Sequence, residues 1–102
     1  MQNKDLKSSD YYKQVMQTNR EELKRTDTEL SRYQYAIKSA EAKLKRVDPY
    51  GEEFEELIKM IDEAKEYIIA YATRKLKLQK AVWDARDLYD KARAQEAADG
   101  AE

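Results

Sequence analysis

From Tyr12 to Val47 the larger side chains recur at alternating spacings of four and three without a break. The series runs Tyr12, Met16, Asn19, Leu23, Thr26, Leu30, Tyr33, Ile37, Ala40, Leu44, Val47. Such a 4-3 repeat keeps one stripe of a helix turned to the same side over many turns, so the helix must lie against another helix. Beta-structure needs an alternation of two, and a membrane span needs about 20 apolar residues in a row. Neither pattern is present, for the longest apolar run is Tyr67 to Ala72. The chain therefore belongs to the all-α class.

The break in the pattern comes at Val47-Asp48-Pro49-Tyr50-Gly51. Proline disfavours the helical conformation at the residue before it, and is tolerated at a helix start, where its missing N–H is not needed. Glu52, Glu53, Glu55 and Glu56 then set negative charge at the positive end of the next helix dipole. The second seam reads Phe54, Leu57, Ile61, Ala64, Ile68, Tyr71, Lys75, Leu78, Val82, Ala85, Tyr89, Ala92, again with 4-3 spacing. Expected boundaries are a flexible N-terminal segment over 1–8, a first helix over about 9–47, a turn at 48–51, a second helix over about 52–98, and a tail at 99–102. Ser8-Ser9-Asp10 is the N-cap cluster of the first helix.

A short corner between long helices gives an antiparallel hairpin. Laid side by side, the seams place Tyr33 opposite Ala64, Tyr71 opposite Thr26, Leu57 opposite Ala40 and Ile37 opposite Ile61. Large against small at successive layers is what interdigitated packing requires. The predicted architecture is a long, coiled-coil-like antiparallel two-helix hairpin that assembles into an oligomeric helical bundle.

The reason for expecting assembly is a surplus of apolar residues on the second helix. Ile69, Leu76 and Trp83 lie seven apart, one step round from the seam, while Tyr67 and Leu88 flank it on the other side. A helix with one partner needs only a narrow apolar face. Each large apolar side chain left in water forgoes roughly 1.5–3 kcal/mol of burial. Tyr67, Ile69, Leu76, Trp83 and Leu88 are thus the candidate contacts with a partner or with further copies, as a homodimer or homotetramer. Eight tyrosines against one phenylalanine suit such a margin, since tyrosine carries a rigid apolar body with a wet end.

Charge is nearly balanced overall, at -1, but unevenly spread. Residues 1–47 hold 11 Lys/Arg and 7 Asp/Glu, and residues 48–102 hold 9 and 14. Arg74, Lys75, Lys77 and Lys80 occur with no acid between Tyr67 and Trp83, and the hairpin brings them beside Arg20, Lys24 and Arg25. This mid-hairpin basic belt is a candidate contact for anions or nucleic acid. A solvated helix surface has the same composition, and no recognition-helix or aromatic RNA-binding motif accompanies the belt. Asn19 and Lys75 occupy seam positions, where polar residues fix register and helix number at some expense in stability.

Catalytic and metal chemistry find little to work with. With no histidine and no cysteine, the commonest general base, the commonest metal ligand and every thiolate site are missing. Di-iron bundles need Glu-x-x-His pairs, calcium hands need a glycine-bearing loop, and the only glycines are Gly51 and Gly100. No enzyme activity, cofactor, metal or small-molecule substrate is expected. The N-terminus lacks the apolar stretch of a signal peptide, and with no membrane segment the expected location is cytoplasmic, in a host cell or virion if the chain is phage-encoded.

The two-helix plan is similar to that of small secreted hairpins marked by a Trp-Xaa-Gly turn. Here the turn is Asp48-Pro49-Tyr50-Gly51 and the only tryptophan precedes Asp84-Ala85, so nothing carries over from them. The functional expectation is a non-catalytic interaction or assembly protein, such as a scaffold, adaptor, chaperone or inhibitor of a larger machine. The alternative is a nucleic-acid-binding bundle acting through the basic belt.

Overall fold

A computed structural model describes residues 6–100. They form two α-helices, α1 (Ser9–Leu44) and α2 (Glu52–Gly100), with no strand among the described residues. Every seam position named above, on both helices, is buried or half-buried. The 4-3 repeat is thus an accurate map of the covered stripe.

At the start of α1 a side-chain oxygen serves an unpaired N–H of the first turn, and the corner ahead of α2 is held by a turn of its own. At α1, Ser8 is the cap: its Oγ accepts from the Tyr11 N–H at 3.3 Å and its carbonyl accepts from Tyr12. At the corner, Asp48 Oδ1 accepts from the Tyr50 N–H at 3.0 Å and its carbonyl accepts from Gly51. The acidic first turn of α2 follows directly.

The first helix ends at Leu44, three residues short of the expected Val47. Its last turn tightens, the Arg46 N–H reaching back only three residues to the Lys43 carbonyl. The proline at 49 keeps Asp48 out of the helical region, and the chain unwinds ahead of it. Val47 remains half-buried even so.

Contacts sort the chain into two units. In the unit of residues 25–75, Ala40, Leu57 and Ile61 form the core, with Ile37, Leu44 and Val47 packed against it. These are the layers the seam pairing anticipates next to the corner. At the Tyr33 layer the ring stacks on Tyr67 and Tyr71, at centroid distances of 5.0 and 5.7 Å, and Ala64 is buried. Offset stacking of this kind adds to what area burial alone contributes. Partial burial raises the Tyr33 phenol pKa, with the neighbouring Tyr71 and Glu29 adding to the effect.

In the unit of residues 1–24 and 76–102, Tyr12 and Met16 are buried on α1, and Ala85 and Ala92 on α2. Large side chains on one helix and alanines on the other let the backbones approach. The Glu96 carboxylate closes this unit, accepting from the Ser9 N–H at 2.9 Å and from Ser9 Oγ at 2.8 Å. These two bonds, the backbone one first, hold the Glu96 carboxyl below its ordinary range. Ahead of the helix, the Lys7 N–H donates to the Tyr12 hydroxyl at 3.1 Å and the Lys7 ammonium sits 4.7 Å above the Tyr11 ring. Of the expected flexible segment, residues 1–5 lie outside the described residues, as do residues 101–102 of the tail.

One consequence bears on function. No large side chain is fully buried among the described residues. Two helices can shield only one stripe of each other, so every core residue keeps an edge in water.

Candidate interaction surface

The surplus apolar residues divide into two sets. On α2, Ile69 belongs to the unit of residues 25–75, and Leu76 and Trp83, seven residues apart and so within roughly 20° of one another, belong to the other. All three are largely exposed, at 68, 68 and 74% respectively. Ile58, in the same unit as Ile69 and eleven residues before it, points within roughly 20° of Ile69 and is 37% exposed. The sequence reading missed Ile58, because a seven-residue search does not find an eleven-residue spacing.

Tyr67 and Leu88 flank the seam on its other side. Tyr67 lays its ring against Tyr33 and still stays 53% exposed, and Leu88 is half-buried beside the seam.

Around Trp83 the helix offers Arg86, Asp87 and Asp90, which with the indole line a shallow surface depression. Asp87 pairs with Lys91 at 3.0 Å. The exposed stripe is therefore apolar in the middle and charged at its border, the composition of an interface patch.

The basic residues are distributed differently. Lys75 turns into the seam and its Nζ lies 2.7 Å from Asp27 Oδ1 of α1. Lys77 and Lys80 point roughly 140–160° away from Lys75. Lys80 is 3.9 Å from Asp84, and Lys24, Arg25 and Arg74 each have a partner within the chain. Arg20 and Lys24 share a furrow of α1 with Lys13, Met16, Gln17 and Glu21.

The polar seam residues are both satisfied locally. The Asn19 side-chain amide donates to the Val15 carbonyl one turn back at 3.0 Å, and Lys75 has Asp27. Among the described residues no buried side-chain N or O lacks a partner, and no three acidic residues are clustered to hold a metal ion. No helix is long and apolar enough to cross a membrane. Comparison with protein-family models, characterised proteins and solved structures found no match.

Proposed function

We propose that this chain is a non-catalytic interaction or assembly protein, working as an oligomeric helical bundle through the outer face of α2. The observation that carries the reading is the exposure of Ile69, Leu76 and Trp83, seven residues apart along a helix whose seam positions are already covered. Single exposed apolar residues are ordinary on any surface, but a regular row of isoleucine, leucine and tryptophan is not. Large apolar and aromatic side chains dominate interface energetics, which makes these residues the anchors.

Light scattering at micromolar concentration tests the proposal. The wild type is expected at a multiple of 12.0 kDa, and a Leu76→Ala, Trp83→Ala variant at a smaller mass. A wild type that stays at 12.0 kDa would end the self-association claim. The nucleic-acid alternative draws less support, because Lys75 and Lys80 already face acids of the same chain. A low-salt gel shift with duplex or single-stranded nucleic acid would revive it.

A further inference from the structure

Resting on that reading, we infer that a groove in the unit of residues 1–24 and 76–102 takes, as a third helix, the stripe Glu55, Asp62 and Ile69 of a second copy of this chain. The groove lies wholly in one unit and the stripe wholly in the other. The first observation is a difference between the two sides of the seam. On one side Val15, Glu22, Ala81 and Leu88 are half-buried; on the other Lys13, Arg20, Arg86 and Arg93 are exposed. The two helix segments close on the first side and leave the second open, with Met16 in the furrow beside Lys13 and Arg20.

The second is the charge of that open side. Each of its four cations directly follows a seam residue: Tyr12, Asn19, Ala85 or Ala92. In antiparallel helices such positions fall on the same side of the pair. The hydrogen bond from Ser9 to Glu96 fixes the level of one helix against the other. Lys13 is four residues after Ser9 and Arg93 three before Glu96; Arg20 is eleven after and Arg86 ten before. Lys13 therefore lies level with Arg93, and Arg20 with Arg86, to within about 2 Å along the axis. Both layers set cation beside cation, which is repulsive in the lone chain, and an acid placed between them relieves it. Asp10, Glu21, Asp87 and Asp90 stand farther round from the seam, where Lys24 and Lys80 accompany them.

The third is a match in spacing. The two cationic layers are seven residues, or about 10.5 Å, apart. Glu55 and Asp62, both exposed, are also seven apart, and Ile69, 68% exposed, comes seven later. Lys65 lies about 40° to one side of Ile69 and Glu66 about 60° to the other, so their charges offset. Laid parallel to α1, the stripe brings Glu55 to the Lys13–Arg93 layer and Asp62 to the Arg20–Arg86 layer. Ile69 then comes level with Gln79, midway between Leu76 and Trp83. Laid the other way, Ile69 falls beyond the first residue of α1. Groove and stripe are different patches, so copies join head to tail.

Charge reversal tests the pairing by sedimentation, with circular dichroism reporting the fold. Arg20→Glu with Arg86→Glu reverses the groove, and Glu55→Lys with Asp62→Lys reverses the stripe. Either double variant alone should associate at least about tenfold more weakly than the wild type, because like charges then face each other. An equal mixture of the two gives every patch a complement and should recover wild-type assembly, which mixing could not do for a folding defect. Double variants that assemble like the wild type overturn the inference and leave the assembly reading intact. A low-salt shift of DNA, abolished by Arg20→Glu with Arg86→Glu, would in that case assign the groove to phosphates. A mixture that stays as weak as its parts also overturns the inference. A wild type that sediments at 12.0 kDa overturns both.

Discussion

Two isoleucines of α2 make the sharpest comparison the structure offers. Ile61 and Ile69 are eight residues apart, which turns them about 80° from one another. That rotation takes the side chain from 6% exposed to 68%. Ile61→Ala removes three carbons from the cluster with Ala40 and Leu57, worth about 0.8 kcal/mol each in transfer alone. Residual cavity adds to this, and alanine's better helix propensity subtracts a few tenths. A total of about 2–3.5 kcal/mol follows, in the lower part of the range for such truncations because a two-helix core can partly close. At roughly 4–8 °C per kcal/mol the melting temperature should fall by about 10–25 °C. Ile69→Ala, measured where the protein is dilute enough to be monomeric, should change stability by no more than about 0.5 kcal/mol. Urea melts at several protein concentrations provide the assay. The cost of Ile61→Ala should be independent of concentration, whereas any cost of Ile69→Ala should grow with it. If the two variants lose equal stability in the dilute limit, the division into an inner seam and an outer face is wrong.

Three further expectations follow from named contacts. Glu96 has a folded pKa below its usual value, so its clasp on Ser9 is complete above the ordinary carboxylate range and fails as pH falls through the folded value. Stability measured from pH 7 downward should therefore fall more steeply for the wild type than for Glu96→Gln, and parallel curves would show that the clasp contributes nothing. Lys75→Leu should raise the melting temperature, because an ion pair exposed to this degree contributes at most about 1 kcal/mol whereas a leucine at a seam position buries more apolar surface. A lower melting temperature would mean that Lys75–Asp27 is worth more than its exposure implies. Gly51 has no positive φ, and an added Cβ would come no nearer than 3.4 Å to the Asp48 carbonyl oxygen. Gly51→Ser should then gain about 0.5–1 kcal/mol, from a less flexible unfolded chain and a better cap for α2, as read by chemical denaturation.

What the sequence determines by itself is the set of covered positions. Helical period is a property of the covalent chain, and a 4-3 repeat can be satisfied in only one way, so Tyr12 to Val47 and Phe54 to Ala92 could be assigned to the seams from spacing alone. The corner was equally legible, since Asp48-Pro49-Tyr50-Gly51 carries its own backbone restrictions. The outer row of Ile69, Leu76 and Trp83 followed from the same arithmetic. Tertiary structure decided which residue meets which. Tyr33 stacked on Tyr67 and Tyr71, Lys75 found Asp27, and Glu96 reached Ser9 across 87 residues of chain. These choices depend on side-chain length and on how far one helix slides along the other. Many sliding positions keep the apolar stripes in contact, and only the fit of rings, carboxylates and hydroxyls at particular layers selects among them.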